Sequence, residues 1–211
     1  MRPLRAGALV IVSCLTLLSV TPDEARGAAV VVALGDSLTA GFGVAADEAF
    51  PARLEARLRT EGYAYRVVNA GVSGDTTAGG LRRVDWVLRA KPEVVIVALG
   101  ANDGLRGQSP QATRANLEEI VARLRTAGVR VLLAGMRLPP NYGGEYTKEF
   151  EAIFPAVARR AKIALMPFLL DGVAGDPRLN QADGIHPTVA GQQAIADHLW
   201  PYLRPLLRPA K

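Results

Sequence analysis

The chain has 211 residues, of which 49% are hydrophobic and 21% charged. That is enough for one domain with its own core, and too apolar for a disordered chain. The net charge of +5 is spread without a lysine or arginine block. The pairs Arg82-Arg83 and Arg159-Arg160 read as solvated helix faces. A nucleic-acid surface needs clustered basic residues with interleaved aromatics and is excluded; weak attraction to anionic membrane surfaces is not.

The N-terminus reads as a targeting segment. Met1 to Arg5 is basic, Ala6 to Val20 is apolar, and Ala25-Arg26-Gly27 and Gly27-Ala28-Ala29 offer small-residue cleavage sites. The apolar run falls short of the ~20 residues that span a bilayer, which favours a cleaved signal peptide at 1–27 over an anchor. Ile11-Val12-Ser13-Cys14 loosely resembles a lipoprotein processing box, but the apolar run continues past the cysteine, against lipidation of Cys14. Cleavage removes three basic and two acidic residues and the single cysteine, leaving a charge of +4 and no disulfide or thiol chemistry. Residues 28–211 then form one exported domain, periplasmic or secreted.

Val30 to Leu34 is too short for a helix and rich in β-branched residues, so it reads as a buried parallel strand. It stops at Gly35-Asp36-Ser37-Leu38. Those residues are compatible with a plain turn, but a strand exit is also where reactive groups of open α/β sheets sit. A helix follows from Pro51 to Glu61, with Leu54 and Leu58 on one face. Tyr65 to Asn69 is a second strand, leading into the glycine- and hydroxyl-rich stretch Ala70 to Thr77. The next helix runs to Ala90 with Leu81, Val84 and Leu88 inward. Val94 to Leu99 is the clearest strand and ends in Gly100-Ala101-Asn102-Asp103-Gly104.

Ser109-Pro110 opens a helix whose apolar face is Leu117, Ile120, Val121 and Leu124. A fourth strand spans Val129 to Ala134, a helix Tyr146 to Ala161, and a short fifth strand Ile163 to Met166. Residues 171–187 have little periodicity and read as a long functional loop. The last helix starts near Thr188 and is kinked or ended by Pro201. Alternating strands and helices predict parallel strands with right-handed crossovers: a three-layer α/β/α sandwich of about five strands, with its exit loops along one edge.

That edge would gather a reactive constellation. A serine hydroxyl needs a base, and the chain holds two histidines. His198 lies inside the last helix. His186 lies in Asp183-Gly184-Ile185-His186-Pro187, where the acid three positions earlier can fix one ring nitrogen and leave the other for Ser37. Oxyanion donors are at hand in the Ser37 amide, the Gly74 amide, which no Cβ shields, and the Asn102 carboxamide. Asp36 is expected to brace its loop rather than react. No residue cluster has metal-ligand spacing, so chemistry without metal or cofactor is expected.

Gly35-Asp36-Ser37-Leu38, Gly74, Gly100-Ala101-Asn102-Asp103 and Asp183-Gly184-Ile185-His186-Pro187 resemble, in order, the four blocks of the SGNH (GDSL) hydrolases. Asn102 to Gly107 and Leu138 to Gly143 are similar to the bacterial exported subgroup with thioesterase, arylesterase and lysophospholipase activity. The resemblance covers essentially the whole of the mature chain. It implies a flavodoxin-like sandwich, a Ser37–His186–Asp183 triad, an oxyanion hole of Ser37, Gly74 and Asn102, and a mobile loop after Asn102.

The expected substrate is a small acyl ester or thioester, met by an apolar rim of Leu105, Leu138, Pro139 and Ile185. A monomer making transient contact with membrane surfaces is expected. The rivals are a carbohydrate O-deacetylase of the same superfamily, for which an aromatic content of 6% is low, a non-catalytic ligand-binding α/β module, and an envelope scaffold. The ligand module would want a glycine-rich dinucleotide turn or a phosphate-loop lysine after the first strand, and neither is present.

Overall fold

The computed structural model describes residues 28–209. The expectations for residues 1–27, including Cys14, lie outside them. Five parallel strands form one sheet: β1 (Ala29–Gly35), β2 (Tyr65–Gly71), β3 (Val94–Ala98), β4 (Arg130–Ala134) and β5 (Ala164–Met166), in the spatial order β2-β1-β3-β4-β5. The predicted α/β/α sandwich is therefore the observed fold. β1 and β3 are buried on both faces, so their sequences are continuous apolar runs without polar alternation.

The helices are α1 (Ser37–Ala40), α2 (Phe50–Thr60), α3 (Thr77–Arg89), α4 (Ala101–Leu105), α5 (Pro110–Thr126), α6 (Gly144–Ala161) and α7 (Val189–Leu203). α2 packs on α7, while α3, α5 and α6 form a second packed row. Phe50, Leu54 and Leu58 of α2 are fully buried, as are Leu117, Ile120 and Leu124 of α5. Burying each such side chain is worth about 1.5–3 kcal/mol. Phe150 and Phe154 meet edge to face, with ring centroids 5.5 Å apart.

Several local readings change. In α3 the fully buried apolar side chains are Val84 and Val87, while Leu81 and Leu88 are half-buried. The stripe is rotated because Gly80 lets the helix approach Leu99 so closely that no Cβ would fit. The short helices α1 and α4 are hidden in stretches that read as turns. α7 runs through Pro201 to Leu203. Arg83 is no solvated surface residue: it is paired with Asp75 at 2.6 Å and donates to the Ala70 and Gly35 carbonyls at 2.9 and 3.3 Å. It thus ties together the exits of β1 and β2, where the Gly35 carbonyl also accepts the Val72 amide at 3.0 Å.

Candidate active site

The exits of β1, β2 and β3 converge because these strands are neighbours in the sheet. β1 ends at Gly35, and Asp36 caps α1 by accepting the Leu38 amide at 3.0 Å. Ser37 is the first residue of α1, so its own N–H has no intrahelical acceptor. Gly71, at the end of β2, lies against the backbone of Thr39 and Ala40; a Cβ there would come within 2.6 Å of Ala40 Cα. The buried Gln192 of α7 donates to the Leu38 carbonyl and accepts the Phe50 amide, holding α1 from below.

The late loop brings His186 to Ser37. One oxygen of Asp183 accepts the Ile185 and His186 amides, both at 3.0 Å, which closes a tight turn. Gly184 takes φ +74° in it, a backbone conformation that glycine adopts without strain. The other oxygen lies 2.7 Å from His186 Nδ1, and His186 Nε2 lies 2.9 Å from Ser37 Oγ. The three-residue spacing thus lets one carboxylate fold the turn and orient the ring together. The His186 backbone amide, then its ring, then the Ile185 amide hold the Asp183 carboxyl down at about 2. It stays ionised, so the imidazole is fixed with its Nδ1 proton toward Asp183 and Nε2 as acceptor toward the hydroxyl. Such an arrangement can take the hydroxyl proton during attack on a carbonyl.

Asn102 is the second residue of α4, and its Nδ2 donates to Asp36 Oδ2 at 3.2 Å. That leaves its second amide hydrogen for another acceptor. Asp36 does brace its loop, and it braces Asn102 as well. Burial dominates its titration and pushes the carboxyl up to about 6, against the pull of the Leu38 amide and Asn102. Gly74 takes φ +77°, and its N–H has no internal acceptor among the described residues. Its carbonyl accepts from Arg106 at 3.0 Å. Two loops with donors are therefore side by side, and they are stitched together underneath: fully buried Asp103 accepts from the Thr77 amide at 2.9 Å and from the Thr77 hydroxyl.

The expected rim is only partly placed as read. Ile185 is 45% exposed beside His186, and Pro139 is exposed. Leu105 is half-buried, and its carbonyl accepts from Tyr142. Leu138 is buried, because it fills the space that Gly104 leaves beneath α4, and so is a core residue rather than a rim residue. Sequence reasoning missed Phe42, which is half exposed and lies against His186 with ring centroids 4.5 Å apart. It also missed Gln181, Arg106 and Thr77, whose partners are remote in sequence. His198 is far from this chemistry in role: its Nδ1 donates to the Asp171 carbonyl, on the outside of α7. Among the described residues no group of three or more His, Cys, Asp or Glu is arranged to hold a metal ion.

Comparison with known proteins matches this geometry to a family. The sequence model of the GDSL-like lipase/acylhydrolase family matches residues 33–194. Esterase TesA of Pseudomonas aeruginosa is 46% identical over 201 residues, which cover 95% of this chain and 99% of that protein. Thioesterase 1/protease 1/lysophospholipase L1 of Escherichia coli K12 is 41% identical over 185 residues, covering 87% and 88%. A crystal structure of TesA superposes with a TM-score of 0.82 at 46% identity, covering 84% of this chain and 99% of that one.

Proposed function

The chain belongs to the GDSL-like lipase/acylhydrolase family and is a hydrolase of ester bonds, and on that premise we propose that Ser37 is its nucleophile, His186 its general base and acid, and Asp183 the residue that orients His186. The observation that carries this reading is the unbroken hydrogen-bonded line from Asp183 through His186 to Ser37, at 2.7 and 2.9 Å. His186 Nε2 takes the Ser37 proton as Oγ bonds to the carbonyl carbon. The negative oxygen of the tetrahedral intermediate is held by the Ser37 and Gly74 amides and by the free hydrogen of Asn102 Nδ2. The intermediate collapses, and His186 passes its proton to the leaving alkoxide or thiolate. Water, deprotonated by His186, then releases the acid and regenerates Ser37.

The substrates are acyl esters and thioesters, including aryl esters and lysophospholipids. The similarity to a protein named thioesterase and lysophospholipase supports that breadth. Ile185, Pro139 and Leu105 supply the apolar contact for the acyl chain. Residues 1–27 are a signal peptide that exports the enzyme, which works as a monomer with transient access to membrane surfaces. A fluorophosphonate probe tests the core of the proposal: the wild type is labelled and Ser37→Ala is not. A wild type that resists labelling, or equal labelling of the variant, rules the nucleophile out. Rates on p-nitrophenyl esters of rising chain length test the acyl contact; a sharp preference for acetate counts against it.

A further inference from the structure

We propose that Gln181 is a positioning residue that sets the distance between Ser37 and His186. The inference rests on the roles just given to those two residues, which lie 149 positions apart and on different loops. Nothing in either loop alone fixes their separation. Gln181 touches neither the serine hydroxyl nor the imidazole, yet it joins the loops that carry them.

Three hydrogen bonds and one close packing contact make the joint. The Gln181 backbone amide donates to the His186 carbonyl at 2.7 Å. Its side-chain Nε2 donates to the Pro187 carbonyl at 2.9 Å and to the Phe42 carbonyl at 2.7 Å. A carboxamide nitrogen has two hydrogens, so one is directed to each loop. On the serine side, the Phe42 amide donates to the Ser37 carbonyl at 3.1 Å, so the pull on Phe42 is passed directly to the nucleophile. The Phe42 ring then lies against His186 at 4.5 Å between centroids, tilted by 38°.

The packing contact is with Gly43. A Cβ at Gly43 would come within 2.7 Å of Gln181 Nε2 and 2.8 Å of its Cδ, and the residue takes φ +78°. The glycine is the space into which the carboxamide fits. On the far side of the loop, the Thr188 amide donates to the Leu179 carbonyl at 2.9 Å, and Asn180 pairs with Pro187 in an antiparallel bridge. Both strands of this loop are therefore closed around Gln181 and cannot slide past it.

The geometry gives Gln181→Glu a definite meaning. The shape is kept, but a carboxylate oxygen replaces the donor and faces two carbonyl oxygens. The loops are pushed apart, and a displacement of about 1 Å between reacting groups costs on the order of 10²-fold. Measured on p-nitrophenyl butyrate, Gln181→Glu is expected to lower kcat 10- to 100-fold and leave KM within about twofold, a loss confined to the chemical step. The rate of fluorophosphonate labelling at Ser37 falls in parallel. Gln181→Asn keeps the donors but reaches only one carbonyl, and is expected to fall between the two. Gly43→Ala, which presses on the carboxamide from the other side, is expected to lower kcat in the same way.

A merely structural role is separated by a double-mutant cycle. In a His186→Ala background there is no base left to position, so adding Gln181→Glu is expected to change the residual rate by less than about twofold. Equal fold losses in the two backgrounds, or an unchanged kcat with the native circular dichroism spectrum, overturn the inference. If Gln181→Glu does not fold, the same cycle run with Gln181→Asn decides. A wild type that fails to label overturns the role of Ser37 instead; a labelled wild type with variants labelled at the same rate overturns the role of Gln181 alone.

Discussion

Replacing Asp36 by Asn should change how the stability of this protein depends on pH. The Asp36 side chain is 1% exposed, and burial raises its carboxyl from 3.8 to about 6. That shift is about two pH units at about 1.4 kcal/mol each, or about 3 kcal/mol in all. The sign follows from which state holds the proton more tightly. The folded state does, so the contribution of Asp36 is full below its unfolded pKa and is lost as pH rises through about 6. About 2 kcal/mol of the total falls between pH 4 and pH 8.

Asn at position 36 does not titrate, and its oxygen still accepts the Leu38 amide. Whatever the weaker contact with Asn102 costs, it does not vary with pH, and the depressed Asp183 is common to both proteins. The unfolding free energy of Asp36→Asn relative to wild type should therefore move in favour of the variant by about 2 kcal/mol from pH 4 to pH 8. Urea unfolding followed by far-ultraviolet circular dichroism, at half-unit steps and with a constant denaturant slope, measures this. A difference that stays flat across the range, or that moves against the variant, refutes the argument that buried Asp36 carries its charge at a cost to the fold.

Other consequences can be measured in the same preparation. Asn102→Ala should lower kcat by about 10²–10³-fold, the usual loss for one oxyanion donor; near-normal turnover sinks that assignment. Gly71→Ala places a methyl against the backbone of Thr39 and Ala40, which cannot yield without moving α1, so a loss of about 1–3 kcal/mol by thermal unfolding is expected together with slower turnover. Thr77→Val keeps shape but takes a hydroxyl donor from fully buried Asp103, for an expected loss of about 1–3 kcal/mol. An unchanged melting temperature would show that Asp103 is satisfied by the Thr77 amide alone.

Much of this could be read from short stretches because the interactions behind them are short-range. The βα alternation and the unbroken apolar runs of β1 and β3 already imply parallel strands buried on both faces. The Asp183-to-His186 spacing implies a carboxylate that can both fold its turn and hold the ring, since all its partners lie within three residues. The strand exits after Leu34, Asn69 and Leu99 mark where Ser37, Gly74 and Asn102 must emerge. Turn-like composition hid α1 and α4, whose few residues leave no helical periodicity to detect.

What the tertiary structure alone decided depends on partners that meet only when the sheet is assembled. Strand order β2-β1-β3 brings the Gly74 and Asn102 loops to either side of Ser37. It converts Arg83 from a surface residue on paper into an internal tie between two strand ends. It also sets Leu138 in the core beneath Gly104, and gives Asp103 a use at Thr77, 26 residues away. Gln181 meets the Phe42 carbonyl across 139 residues. No local pattern announces a glutamine whose acceptors are backbone carbonyls, because every residue offers one; which of them it meets is settled by the packing of the loops.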